Sequence, residues 1–452
     1  MSIVSEKLEK ARKAMAEIQG YTQEQVDALV YAIGKTIYKN AVPLAEMAVS
    51  ESKIGSVSEV IAMNEGTAAE FYAYLKDKKS VGIIAEYPEL KMMEVAHPVG
   101  VVAGITPSTT PVTTACGNAM HAIKGKNAIV FCPAPRAKGV TVKTVELMRE
   151  AIAACGAPID LIQIVSEPTI PASQELMEGA NLILATGGSS MVRAAYSSGT
   201  PAYGVGPGNA PVILDRGYDL QHAADLTNLA VSVDNGVACD SDNILFYPNE
   251  VEIDFFKALE NAAGIVYTAP EDVKKYREVL FGPNGAQIPS TIGLDAPVLA
   301  KLAGFEIPET KKFICLQVAD VGKGDMLNHE ILAPVVKVKS YDTFESAVEM
   351  SIRNMEEQGG IGHSAGIFSN DMDHIKYYSE RIPVARVLVN QPTPDAWGPV
   401  TNALSPAVME SCGTWGSNIM AGNVDYTHLL NISKVTMPLD AEPIDGAKLF
   451  AD

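Results

Sequence analysis

The sequence predicts an α/β protein. Between about residues 100 and 214 short apolar runs alternate with amphipathic helical stretches, and the alternation resumes from about residue 234 to 423. Apolar strands separated by helices imply parallel sheets covered on both faces, since a strand buried on one face alone would alternate polar and apolar residues. Composition agrees: of 452 residues, 47% are hydrophobic and 20% charged, which excludes a disordered, collagen-like or coiled-coil chain. At roughly 100 to 200 residues per domain, two or three domains are expected.

Taken in order, the first 80 or so residues read as helices. Thr22-Gln23-Glu24-Gln25 is a capping box, and Val26, Leu29, Val30, Ile33 and Ile37 follow at helical spacing. From Tyr87 to Val95 the pattern turns toward strand, with Leu90, Met92 and Val95 beside polar positions. Strands are then predicted at Gly100 to Ile105, Asn127 to Cys132, Leu161 to Val165, Asn181 to Ala185 and Pro211 to Leu214. Helices fall between them at Thr113 to Ile123, Val140 to Ala154, Ser173 to Glu178 and Val192 to Tyr196. Such sheets bind ligands beyond the carboxyl ends of their strands, so residues 1–230 read as a cofactor-binding domain. A second α/β unit, 231–423, contains Phe313 to Val318, Ala333 to Val338, the helix Phe344 to Asn354 and the strand Ala385 to Val389. Residues 424–452 hold a last strand, Leu429 to Val435, and a polar tail.

The formal net charge is −19. A surface this acidic repels phosphate backbones and anionic membranes, so neither nucleic acid nor a lipid surface is an expected partner. An anionic cofactor would have to be held by local dipoles and a few placed cations. Cys116, Cys132, Cys155, Cys239, Cys315 and Cys412 form no CxxC pair and the histidines no HxxxH pair, which argues against a disulfide framework or metal site and fits a reducing cytoplasm. The apolar runs are well short of the roughly 20 residues that span a bilayer, and no signal peptide is visible.

No G-x-G-x-x-G follows the first strand, and there is no Walker A sequence. Two glycine-rich turns remain. Thr186-Gly187-Gly188-Ser189-Ser190 lies between a strand and a helix, where exposed amides can face a phosphate or a nicotinamide; Gly204-Val205-Gly206-Pro207-Gly208-Asn209 precedes the next strand. The sharpest local feature is Asp234-Asn235-Gly236-Val237-Ala238-Cys239. A loop ending in cysteine ahead of an apolar strand can present a thiolate in a cleft while its own N–H points at a developing oxyanion. Taken alone, the same cysteine also reads as a small buried hydrophobe.

Together with Glu330-Ile331-Leu332-Ala333-Pro334-Val335, these motifs resemble the aldehyde dehydrogenase superfamily. Four further segments are similar to its coenzyme-A-acylating branch: Phe131 to Lys138, Ala194 to Gly204, Gly362-His363-Ser364-Ala365-Gly366 and Cys412 to Asn418. That branch includes acetaldehyde dehydrogenases, the first half of bifunctional aldehyde-alcohol dehydrogenases and CoA-dependent succinate semialdehyde dehydrogenases, which the chain resembles most. The match keeps a consistent order from about residue 5 to 436. It implies a Rossmann-type cofactor domain, an α/β catalytic domain and a small oligomerisation element made of a hairpin near Tyr87 to His97 and the strand Leu429 to Val435. A homodimer or homotetramer is the expected assembly.

The resemblance also implies a chemistry. Cys239 would attack an aldehyde, pass hydride to NAD or NADP, and hand the acyl group of the resulting thioester to CoA. Hydrolytic relatives carry a glutamate in a Glu-Leu-Gly-Gly motif that activates water; here Gly204-Val205-Gly206-Pro207-Gly208 has no carboxylate. Losing a positioned base costs about 10²- to 10⁴-fold, enough for a bound thiol to outcompete water. Glu330 would hold the nicotinamide ribose, a role that comes from the resemblance alone, and His363 would orient or deprotonate the CoA thiol. Thr106, Pro107 and Pro133 at strand ends, Arg136 and Lys138 beyond them, and Thr186, Gly187, Gly188, Gly206 and Gly208 in the turns complete the implied cofactor set; no metal is expected.

Two departures bear on substrate. Close relatives place Asn before the proline of the strand end, where its amide serves the oxyanion; here Thr110 precedes Pro111. Losing such a donor elsewhere costs about 3 to 4 kcal/mol. After the nucleophile stand Asp240-Ser241-Asp242. An aldehyde bearing a carboxylate or sulfonate, such as succinate semialdehyde or sulfoacetaldehyde, would need a cation near Cys239 to offset them. The competing readings are a hydrolytic, CoA-independent dehydrogenase and a catalytically reduced binding or scaffold protein.

Overall fold

The computed structural model describes residues 2–451. Four helices, Ile3–Glu17, Gln23–Lys39, Ala41–Ser52 and Val57–Leu75, open the chain. The second starts at the expected capping box, with Thr22 and Gln25 each closing on the other's backbone. The last three pack against the helices Pro111–Lys124 and Lys138–Ala154 of the first sheet, and the first against the helix Ile170–Gly179 and the strand Ala128–Pro133. Pro111–Lys124 is buried along its whole length, Lys124 included. Its lysine is tolerated there because Asp27 pairs with it across the helix interface.

The first sheet has five parallel strands in the order Ile162–Ile164, Ala128–Pro133, Val101–Thr106, Leu182–Thr186, Ala202–Val205. Every residue of Val101–Thr106 and of Ala128–Pro133 is buried, as the unbroken apolar runs require of strands covered on both faces. The chain goes outward from Val101–Thr106 on one side and returns on the other, so the sheet has a switch point beside Thr106 and Thr186, where a crevice opens beyond the strand ends.

The second sheet has seven parallel strands in the order Gly264–Tyr267, Phe313–Gln317, Val335–Tyr341, Asp242–Pro248, Ala210–Leu214, Gly362–Phe368, Val384–Val389. The strand expected at Pro211 to Leu214 therefore lies here, paired with Asp242–Pro248 and Gly362–Phe368, and not in the cofactor sheet. The first sheet ends at Val205, so a boundary drawn at 230 falls well inside the second unit. The strand is buried at every position, and an all-apolar strand carries no local mark of which sheet it joins.

A three-stranded antiparallel sheet joins Gly82–Tyr87, Met92–Pro98 and Leu430–Thr436, pairing the predicted hairpin with the last strand inside one chain. Between the large sheets, Glu410–Cys412 and Ala421–Asn423 form a short ribbon. Met409, Val424 and Leu429 belong to the core of the first sheet, so the segment after about residue 397 returns to the cofactor unit. No helix among the described residues is long and apolar enough to cross a membrane.

Candidate active site

The carboxyl ends of the first sheet and the amino ends of the second share one cavity of about 960 Å³. Thr106, Pro133, Thr186 and Val205 line it from the first sheet; Cys239 and Glu330, which precede strands of the second, line it from the other side. Thr110, Pro107, Gly187, Gly188 and Gly206 also reach its wall. Residues spread over more than 200 positions in the sequence are thus brought together.

The loop that presents Cys239 is shaped by a left-handed pair, Asp234 (φ 46°, ψ 36°) and Asn235 (φ 54°, ψ 36°). Asp and Asn tolerate this region better than other non-glycine residues. Asn235 Nδ2 donates to Gly293 O at 2.9 Å and to Asp295 Oδ1 at 3.1 Å, which ties the turn to the neighbouring loop. Beneath the nucleophile, Gly208 packs so closely that a Cβ there would stand 1.6 Å from the Cys239 carbonyl oxygen. Gly208 does not line the cavity; its backbone N–H donates to Glu330 Oε1 at 2.9 Å, so one glycine seats the nucleophile and steers the glutamate.

Burial pushes Glu330 up to about 7, opposed by the Gly208 N–H and by Lys337. Lys337 is wholly buried, and its Nζ donates to Asn243 Oδ1 at 2.8 Å and to His329 O at 3.0 Å. Asn243 Oδ1 also accepts from the Ile331 N–H at 2.8 Å, so Lys337 and Asn243 together hold the 329–331 loop.

Cys239 is partly accessible in the cavity. Burial, and then the carboxylates of Glu410, Asp240 and Glu330, hold its thiol well above the ordinary thiol range. Asp240 is itself buried and raised by burial and by Glu410. Asp242 is pushed to about 7 by burial, although Thr393 Oγ1 donates to its Oδ1 at 2.5 Å.

Four carboxylates, Glu70, Asp240, Glu330 and Glu410, line the cavity, and among the described residues no Lys, Arg or His does. The positive potential available to an anion comes from helix N-termini. Gly188 opens the helix Ser189–Ser197, Thr169 caps Ile170–Gly179, and both are in the wall. Arg136 and Lys138 stand off the cavity: Arg136 reaches toward Pro289 O at 3.5 Å, and Lys138 pairs with Glu167 at 3.1 Å.

His363 is also away from the wall. It is buried, its Nδ1 lies 3.1 Å from Ser364 Oγ, and burial followed by the Arg386 charge holds it well below the usual imidazole range, hence neutral. The His363 side chain expected at a CoA thiol therefore lies buried behind the cavity wall. Thr110 Oγ1 lies 3.1 Å from Thr114 Oγ1 at the start of Pro111–Lys124 and caps no backbone amide. Thr110 itself lies in the cavity wall.

A model of the aldehyde dehydrogenase family matches residues 2–283 and 318–401. The chain belongs to the aldehyde dehydrogenase family. It is 43% identical over 436 residues to an acetylating succinate-semialdehyde dehydrogenase of Clostridium kluyveri, covering 96% of this chain and 95% of that one. An acylating sulfoacetaldehyde dehydrogenase of Bilophila wadsworthia is 36% identical over 447 residues, 97% of this chain and 96% of its own. Among solved structures, an acetylating aldehyde dehydrogenase from Geobacillus thermoglucosidasius superposes with a TM-score of 0.93 at 35% identity, covering 98% of each chain.

In this aldehyde dehydrogenase the sequence reading missed three charged groups. Glu410 is buried on the cavity wall, two positions before the Cys412 motif that carried the resemblance. Arg386 is buried behind it and donates to Ser364 Oγ, Ser411 O, Asn423 Oδ1, His363 O and Glu410 O at 3.0 to 3.2 Å. Lys337 is the third. Arg386 and Lys337 sit within strands that read as apolar, and the one available signal was a basic residue in a run that should exclude it.

Proposed function

We propose that this chain is a CoA-acylating aldehyde dehydrogenase, converting a short-chain aldehyde, NAD or NADP and CoA reversibly to acyl-CoA and reduced cofactor. The observation that carries this reading is the floor beneath Cys239. Where hydrolytic members place a glutamate, the segment Gly204–Gly208 carries no acid, its side chains being only Val205 and Pro207, and Gly208 is too close to the Cys239 carbonyl for any side chain. Water bound beside the thioester finds no base on that face, while an incoming thiol supplies its own nucleophile.

The residues suit the roles. Cys239 Sγ, its proton passed to water in the open cavity, attacks the carbonyl carbon as thiolate; the Cys239 N–H and Thr110 hydroxyl are the donors available to the oxyanion. The crevice beyond Thr106 and Thr186, with the helix N-termini at Gly188 and Thr169 and the carboxylate of Glu330, suits a dinucleotide, its phosphates on amides and its ribose on the acid. A bound nicotinamide supplies the hydride acceptor. Cys239 then holds the acyl group as a thioester until CoA takes it. The six cysteines are all unpaired, which supports a cytoplasmic setting. The outer strand Leu430–Thr436, with Ile432 and Val435 exposed, supports a homodimer or homotetramer closed over this edge.

Purified protein given NAD or NADP and short aldehydes is expected to form acyl-CoA and reduced cofactor only when CoA is present. Cys239→Ala should abolish turnover, while Cys412→Ala, at a cysteine buried off the cavity, should retain part of it. Equal turnover without CoA would establish the hydrolytic reading instead, and none under either condition a binding protein.

A further inference from the structure

The strands Val335–Tyr341 and Asp242–Pro248 are neighbours in the second sheet. Near its amino end each carries a buried polar residue that bonds to the other: Lys337, 0% exposed, and Asn243, 1% exposed. Both acceptors of Lys337 Nζ, the Asn243 amide oxygen and the His329 carbonyl, are neutral. A lysine enclosed in this way costs folding free energy, and burial lowers its pKa to about 7. An apolar side chain would fill the same space without that cost.

What this pair holds is the loop that carries Glu330. Lys337 donates to the carbonyl of the residue before it, His329, and Asn243 Oδ1 accepts from the N–H of the residue after it, Ile331, at 2.8 Å. Glu330 is thus clamped on both sides. The Gly208 N–H takes its Oε1 at 2.9 Å, so Oε2 is the oxygen left for a ligand in the cavity that Glu330 lines. Lys337 also supplies the positive charge that favours the Glu330 carboxylate. The other acid that feels this charge, Asp325, is already paired with Arg277 through hydrogen bonds of 2.7 and 2.5 Å. An ionised carboxylate is the stronger acceptor for a hydroxyl.

We propose that Lys337 and Asn243 are positioning residues for the dinucleotide: acting through Glu330, they hold its carboxylate where it accepts from the ribose hydroxyls. This rests on the reading of Glu330 as the acid that meets the ribose, and extends that function to two residues behind it. Neither lines the cavity, so a loss of cofactor affinity on changing either one is not the loss of a direct contact. The two act as a unit, because Asn243 Oδ1 is shared by Lys337 Nζ and the Ile331 N–H.

The test measures the dissociation constants of NADH and NADPH for the purified protein by fluorescence titration, alongside the KM values of cofactor and aldehyde in the presence of CoA. Lys337→Met, Asn243→Leu and Glu330→Gln are each expected to weaken binding of the preferred cofactor by about tenfold and to raise its KM in step, with the aldehyde KM changed by less than about twofold. Lys337→Met added to Glu330→Gln should weaken binding by no more than about a further twofold, since its effect passes through that carboxylate. Unchanged dissociation constants in folded Lys337→Met and Asn243→Leu overturn the proposal, and so does an undiminished loss when Lys337→Met is added to Glu330→Gln. If Lys337→Met does not fold, Asn243→Leu alone and combined with Glu330→Gln carries the same comparison. Glu330→Gln binding cofactor as tightly as the wild type overturns the ribose role of Glu330, and the clamp with it. Absence of acyl-CoA formation by the wild type overturns the acylating reading alone, and the titrations then still decide the clamp.

Discussion

Cys239 is a nucleophile placed among acids. A thiol attacks as thiolate, and burial with Glu410, Asp240 and Glu330 nearby holds the neutral form to high pH. The apoenzyme should therefore be slow to alkylate. Its rate of Cys239 modification by iodoacetamide is expected to rise with pH without levelling below about pH 9. Glu410→Gln removes a negative charge that opposes ionisation, so the rising limb should move to lower pH. A plateau near neutrality in the wild type, followed by mass spectrometry of the labelled peptide, would contradict this account. Gly208 shows a second constraint at the same scale: it was expected as a cofactor contact, and it serves through the absence of a side chain.

At the scale of elements, the helix Pro111–Lys124 shows how a buried charge is retained. Lys124 is fully buried at the helix end, and Asp27 of Gln23–Lys39 is its counter-ion. Removing one partner of such a pair leaves an uncompensated charge, which costs about 3 to 5 kcal/mol. Asp27→Ala should thus lower the urea midpoint markedly, whereas Thr22→Ala, which deletes the cap of the same helix, should cost about 1 kcal/mol. Equal small effects for both would mean that Lys124 finds water or another acceptor. The capping box was legible because its residues lie three apart. The ion pair was not, because its residues lie 97 positions apart and meet only through packing.

For the whole molecule, buried acids set the pH dependence of stability. Asp234 is raised to about 8, and Asp242 and Glu330 to about 7, each chiefly by burial. From about pH 4 to 8 the folded chain keeps these protons while the unfolded chain releases them, so stability falls as pH rises through that window. His121 acts in the opposite sense at lower pH. Burial lowers it to about 4, so below about pH 6.5 the unfolded chain takes up a proton that the folded chain refuses. The net charge of −19 adds repulsion on the alkaline side. Thermal denaturation of the apoprotein should give a higher Tm at pH 6.5 than at pH 8.5; the reverse order would show that these carboxyls are ionised in the folded state.

Local spacing by itself determined the α/β alternation, the Asp234–Cys239 loop and the glycine turns, because caps, turns and strand runs are written in residues within a few positions of one another. It also showed that the segment Gly204–Gly208 carries no carboxylate. Which sheet Ala210–Leu214 joins, the withdrawal of His363, Arg136 and Lys138 from the cavity, and the arrival of Glu410 beside Cys239 were decided by the tertiary structure alone. Glu410 and Cys239 are 171 positions apart, and only the packing of two sheets end to end brings that carboxylate to the thiol and leaves no basic side chain on the cavity wall.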